Sequence, residues 1–184
     1  MKVADLMTRE VRACTIHESL NAAARIMWDH DCGCAPIVDV HGKLVGIVTD
    51  RDISMAAYTQ GLPLEAIPVE RAMSARVVSC SRTDDLESAH RLMRTHEIHR
   101  LPVVDTRGRL IGIVTLSDLL NHSRGNSADP SEAIEIATTF SAIHRRRVPA
   151  DAASSNGDSA SARESTKAPK KPGGRGKKSA ANLR

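Results

Sequence analysis

The heptapeptide GIVTDRD at Gly46–Asp52 returns as GIVTLSD at Gly112–Asp118, 66 residues further on. Sliding the chain along itself by that distance aligns Val3–Ile53 with Val69–Leu119 without a gap, and 19 of the 51 aligned positions are identical. The shared positions include Met7/Met73, Leu20/Leu86, Met27/Met93, Pro36/Pro102, Asp39/Asp105, Gly42/Gly108 and Gly46/Gly112. A gapless match of this length marks a tandem duplication. Each copy is then one supersecondary unit that buries an apolar face against the other, and few folds meet that demand.

Both copies carry one pattern. A short apolar segment, VADLM or VERAM, precedes a brief strand around Val11–Cys14 or Val77–Cys80. Leu20, Ala23, Ala24 and Met27, matched by Leu86, Ala89 and Met93, recur at helical spacing. APIVD and LPVVD read as strands, and a turn carrying Gly42 or Gly108 leads into LVGIVT or LIGIVT. A second helix starts at the aspartates of the repeated heptapeptide. The expected order is β-α-β-β-α, twice: an α/β chain of the α+β type, with units over 2–58 and 69–122 and a linker at 59–68. Beyond them, DPSEAIEIATTFSAIHRRR predicts an amphipathic helix over 129–147. Asp129 is its expected cap, with Pro130 at the first position, Glu132 closing a capping box, and Ala133, Ile136, Ala137, Phe140 and Ile143 on one face. Residues 148–184 lack periodicity and are expected to be a disordered tail.

Apolar residues make up 41% of the chain but aromatics only 2%, so the core must be aliphatic. No apolar run approaches the roughly 18 residues of a membrane span. The stretch MKVADLMTRE has an early acid and no apolar run behind it, unlike a secretory signal. A cytoplasmic protein is therefore expected, with Cys14, Cys32, Cys34 and Cys80 as reduced thiols. The net charge of +4 hides an asymmetry: residues 145–184 hold 11 Lys and Arg against three acids, +8, which leaves −4 for residues 1–144.

The repeated heptapeptide has two readings. Thr49 with Asp52, and Thr115 with Asp118, stand at the spacing of a helix capping box, which alone explains both residue types. A duplicated strand-to-helix junction also places two helix N-termini near a pseudo-twofold axis. There a carboxylate one turn in can hold a ribose diol, and a threonine hydroxyl or a cation such as Arg51 can hold phosphate.

The two copies resemble a pair of CBS domains, the module named after cystathionine β-synthase. The resemblance rests on LMT before the first strand, PIVD or PVVD with a glycine three residues on, and G-h-h-T-x-x-D, all recurring in register over about residues 2–122. It implies two units packed sheet to sheet about a pseudo-twofold axis, with two clefts that bind AMP, ADP, ATP, NAD or S-adenosylmethionine. By position, Asp118 and Asp52 would take ribose hydroxyls, with Thr115 and Thr49 near ribose and phosphate. Thr8 and Cys34–Ala35–Pro36 would wall the Asp118 cleft; Ser74 and Arg100–Leu101–Pro102 would wall the Asp52 cleft. HRLPVVD resembles the stretch that sends His and Arg to phosphates in the γ subunit of AMP-activated protein kinase, which makes His99 and Arg100 candidates for that role. Dimerisation through the helices that follow the strands is also implied, with Ile53, Met55, Ala56, Leu119 and Leu120 as contacts.

The copies differ within these motifs. Asp50–Arg51 faces Leu116–Ser117, and Cys34–Ala35 faces Arg100–Leu101, so the two clefts are expected to differ in phosphate affinity. Cys32 and Cys34 lack the CxxC spacing of zinc sites, and the repeat-equivalent His30 and His96 fall where histidines meet the last carbonyls of helices. No Ser/His/Asp set, paired acid and base, or HExxH is present. The tail TKAPKKPGGRGKKSAANLR has seven basic residues and no acid or aromatic, which fits a solubilising tail or weak, salt-dependent contact with nucleic acid. The expectation is a non-enzymatic sensor of adenine nucleotides, without cofactor or metal, that signals through a separate effector chain. A ligand-free interaction scaffold, a nucleic-acid-associated protein and a Cys32/Cys34 thiol sensor are the alternatives.

Overall fold

The computed structural model describes residues 1–125 and 130–144. The expected cap Asp129 and the tail at 148–184 lie outside the described residues. In chain order the elements are α1 (Val3–Leu6), β1 (Cys14–Thr15), α2 (Leu20–Asp29), β2 (Cys34–Val38), β3 (Leu44–Thr49) and α3 (Asp50–Gln60). After two 3-10 turns follow β4 (Cys80–Ser81), α4 (Leu86–His96), β5 (Arg100–Val104), β6 (Leu110–Thr115), α5 (Leu116–Gly125) and α6 (Pro130–Ile143). Two three-stranded sheets form, β1-β2-β3 and β4-β5-β6, each with its first pair parallel and its second antiparallel. The register repeats: Cys34 faces Thr49 as Arg100 faces Thr115. Among the described residues, no helix is long and apolar enough to cross a membrane.

Each sheet is covered on both faces. Ala35, Ile37 and Val48 point into a first core with Leu20, Ala23 and Met27 of α2; Leu101, Val103 and Val114 join Ala89 and Met93 of α4 in a second. The opposite faces meet across the pseudo-twofold. Leu44 N donates to Gly108 O at 3.0 Å and Leu110 N to Gly42 O at 3.1 Å, a pair of bonds exchanged by the 66-residue shift. The turns that carry them need Gly42 and Gly108 at φ +76 and +78. In each turn an aspartate accepts two backbone N–H groups, Asp39 from His41 and Lys43, Asp105 from Arg107 and Arg109.

The apolar segment ahead of each copy crosses to the other. Val3 is fully buried in the second core, where Val3 N donates to Asp84 O at 2.9 Å. Ile67 and Val69 are fully buried in the first core, and Leu20 N donates to Ile67 O at 2.8 Å. The chain then adds one bridge to the edge of the sheet it has reached: Thr8 pairs with Ile113 of β6, and Ser74 with Ile47 of β3. Gly112 makes room for this crossing, since a Cβ there would lie 2.8 Å from Met7 Sδ and 3.1 Å from Thr8 O.

α6 docks through only part of the expected face, with Ile143 packed against the second core. Ile136 and Thr139 are buried, whereas Ala133, Ala137 and Phe140 are exposed. The cause is polar: Thr139 Oγ1 meets His90 Nδ1 at 3.0 Å, and Arg94 reaches Thr139 Oγ1 at 3.1 Å and Glu135 at 3.2 Å. Those bonds tie the helix to α4. The first unit has Ala24 and Trp28 at the positions of His90 and Arg94, and among the described residues nothing fills its groove of about 330 Å³ between α2 and α3. The expected dimer contacts are redistributed as well. Ile53, Ala56 and Leu119 are buried in their own cores and Leu120 is half-buried, while Met55 is exposed, as are Trp28 and Tyr58 on the first unit's helices.

Candidate functional site

Strand alternation decides what faces the space between the sheets. β3 buries Gly46 and Val48 and turns Ile47 and Thr49 to the other side; β6 does the same with Ile113 and Thr115. In β2 and β5 the cis-unit core takes Ala35 and Leu101, so Pro36 and Pro102 point outward.

Two cavities result. One, about 340 Å³, brings Thr115 and Asp118 together with Thr8, Cys34, Pro36 and Arg100. The other, about 270 Å³, brings Thr49 and Asp52 together with Ser74, His99, Arg100 and Pro102. Each anticipated pairing of an aspartate with the wall of the opposite unit is thus present as a space. Three anticipated residues fall elsewhere: Ala35 and Leu101 are fully buried in their cores by the two-residue strand period, and Arg51 is exposed outside both cavities.

The capping box is real in both copies. Thr115 N and Thr115 Oγ1 donate to Asp118 Oδ2 at 2.8 and 2.7 Å, and Asp118 N donates back to Thr115 Oγ1 at 3.2 Å. Thr49 and Asp52 repeat this at 2.9, 2.7 and 3.3 Å. In each case the cap occupies one carboxylate oxygen, Oδ2. Oδ1 receives no protein donor among the described residues, so one side chain can cap its helix and still accept from a ligand.

Arg100 belongs to both cavities. Its guanidinium lies against the first unit, where a Cβ on residue 33 would stand 2.7 Å from Arg100 Nη2. Gly33 therefore makes room for a cation that the second copy supplies. Among the described residues Arg100 enters no ion pair. His99 lines the Asp52 cavity; burial and then the neighbouring His144 and Arg100 push its pKa down.

Several lining residues carried no motif. Glu10, Val11 and Arg12 enter the Asp118 cavity, and their repeat-equivalents Arg76, Val77 and Val78 enter the other. They sit on the extended connections before β1 and β4, and the duplication was the one signal that could have found them together. His30, which ends α2 as its C-cap, also lines the Asp118 cavity. Cys34 is buried with its pKa pushed up to about 11, chiefly by burial, so its thiol is protonated at neutral pH. Among the described residues, no three His, Cys, Asp or Glu side chains gather as a metal site requires.

The family model for the CBS domain matches residues 3–58 and again 69–125. The CBS domain-containing protein YhcV of Bacillus subtilis is 37% identical over 134 residues, 73% of this chain and 94% of its own. Hypoxic response protein 1 of Mycobacterium tuberculosis is 31% identical over 64% of this chain and 82% of its own. Among solved structures, the CBS domain pair of protein MJ0100, in complex with 5'-methylthioadenosine and S-adenosyl-L-methionine, superimposes with a TM-score of 0.60 at 31% identity, over 69% of this chain and 98% of that one.

Proposed function

Since the chain belongs to the CBS domain family and carries the domain twice in tandem, we propose that it is a non-enzymatic regulatory protein of the cytoplasm whose inter-unit clefts bind adenosine-containing nucleotides. The observation that carries the reading is the division of labour within Asp118. Oδ2 caps α5, while Oδ1 is left for a ribose diol in a cavity that also holds Arg100 for phosphate. The Asp118 cleft, about 340 Å³, falls within the roughly 300–1,000 Å³ of small-molecule sites, and the Asp52 cleft, about 270 Å³, falls just below. The first is the principal site. Thr115 and Thr8 border its ribose and phosphate end, and Pro36 and Val11 supply apolar walls for the base. The Asp52 cleft, with Thr49, Ser74, His99 and Pro102, is a weaker second site. AMP, ADP and ATP are the expected ligands, and the adenosine compounds bound by the MJ0100 pair support that class.

Signalling is by population shift: a ligand bridging the two units favours one relative orientation, which a separate effector chain reads. Trp28, exposed on the α2–α3 groove, and Met55 and Tyr58, exposed on α3, support a homodimer through the first unit's helices. The basic tail is proposed as a weak nucleic-acid contact, to be tested by deleting residues 150–184 and measuring salt-dependent DNA binding.

The test of the main reading is calorimetric titration of the full chain with AMP, ADP, ATP, NAD and S-adenosylmethionine. Saturable binding of an adenosine compound, with stoichiometry of one or two per chain, is the expected result. Heat of dilution alone for all five would refute it.

A further inference from the structure

A third cavity, about 610 Å³, adjoins the Asp118 cleft and shares Cys32, Arg100 and Thr115 with it. Phe140 of α6 and His144, just after it, also line this cavity. α6 lies beyond the segments that the CBS domain model matches. Resting on the nucleotide reading of the Asp118 cleft, we propose that this cavity receives the terminal phosphates of a di- or triphosphate, and that His144, the residue that follows α6, determines the preference for phosphate-chain length.

The cavity is lined by Arg100, His99 and His144, with Ser117 as a further polar residue and Asp31 as its one carboxylate. The rings of His99 and His144 stand edge to face with centroids 4.8 Å apart. His144 is held in place: its ring stacks on Phe140 at 4.0 Å and its Nδ1 lies 3.0 Å from the Phe140 carbonyl oxygen. A carbonyl only accepts, so Nδ1 carries the proton in that bond, and Nε2 is the nitrogen left for a ligand, donating when the ring is protonated. His99 is disfavoured as a cation by burial and by its neighbours His144 and Arg100, a repulsion that a bound phosphate relieves. Ribose held at Asp118 sends its phosphates past Thr115 to Arg100, the residues the two cavities share, so a second and third phosphate have this space to enter. A monophosphate ends at the shared wall.

Support for α6 is independent of any ligand. Thr139 and Glu135 tie it to His90 and Arg94 of α4, so position 144 is presented from a docked helix.

The experiment is calorimetric titration of AMP, ADP and ATP into the full chain and its H144A and H144K variants. His144 is exposed at the end of α6, so neither substitution disturbs a core. H144A should weaken ADP and ATP about tenfold, the loss of one charge-assisted hydrogen bond, and change AMP less than twofold. H144K should restore most of the ADP and ATP affinity. Equal losses for all three nucleotides, or none, would overturn the inference while leaving the nucleotide reading in place. If the unaltered chain binds no nucleotide, both readings fall together.

Discussion

Asp118→Asn separates the two duties of that side chain. The carboxamide oxygen can still accept from Thr115 N and Thr115 Oγ1, now held at 2.8 and 2.7 Å from Oδ2, and this places the new NH2 where Oδ1 stood. The cap survives in weakened form, costing at most about 1 kcal/mol, or roughly 4 °C for a domain of this size. A ribose hydroxyl that donated to Oδ1 meets a donor instead. Losing a hydrogen bond to a charged acceptor costs about 1.5–3 kcal/mol, roughly 10- to 150-fold in Kd. At a nucleotide concentration of a hundred times the unaltered Kd, ligand stabilises the unaltered fold by about 2.7 kcal/mol. The same concentration stabilises the variant by only about 0.3–1.4 kcal/mol, so a thermal shift near 10 °C shrinks to about 1–6 °C. Differential scanning fluorimetry with and without nucleotide reads both quantities in one experiment. A variant that melts slightly lower yet keeps the full nucleotide shift would refute the assignment of Oδ1 to the ligand.

Other perturbations address the frame around the clefts. Gly112→Ala should lower stability by about 1–3 kcal/mol, because its Cβ meets the backbone oxygen of Thr8 as well as the yielding sulfur of Met7; an unchanged midpoint in urea would contradict the close crossing. Val3→Ala should cost about 2 kcal/mol, with amide-exchange protection lost in β4–β6 rather than β1–β3, and loss confined to the first sheet would refute the exchange of segments. A thiol reagent at pH 8 should label Cys32 rapidly and Cys14, Cys34 and Cys80 only after unfolding; rapid reaction of two or more thiols would count against the buried placement. Burial pushes the Cys14 and Cys34 thiols up to about 11 and Cys80 to about 12. Above pH 9 the unfolded chain gives up these protons and the folded one keeps them, so stability should fall as pH rises from about 9 to 12.

The duplication carried much of this structure in plain view. Two cores, two sheets and two capped helices all follow from one pattern read twice, and the heptapeptide located both aspartates. What it could not convey was allegiance. An apolar segment such as VADLM announces that Val3 will be buried, yet nothing local says that its sheet lies in the other copy. Direction along a strand was a second blind spot. The sequence reads Cys34–Ala35–Pro36 as one wall, but the two-residue period sends Ala35 inward and leaves Pro36 in the cleft. Apolar spacing finds Ile136 and Ile143 of the α6 face but not Thr139, whose partners His90 and Arg94 lie 45 or more residues away. Arg51 lies within the motif, but the first turn of α3 turns it to solvent.

The exchange of leading segments also bears on how the chain folds as it is made. Residues 9–74 hold nearly everything the first sheet and its helices need, including Ile67 and Val69, and can close as soon as they leave the ribosome. Residues 3–8 emerge earlier, but Val3 meets Asp84 only about eighty positions later, and Thr8 meets Ile113 of β6 only after more than a hundred. At 5–20 residues per second, Val3, Leu6 and Met7 wait for at least about four seconds with their apolar side chains uncovered. The segment synthesised ahead of the first unit is thus among the last to dock, and neighbouring nascent chains have that interval in which to capture it.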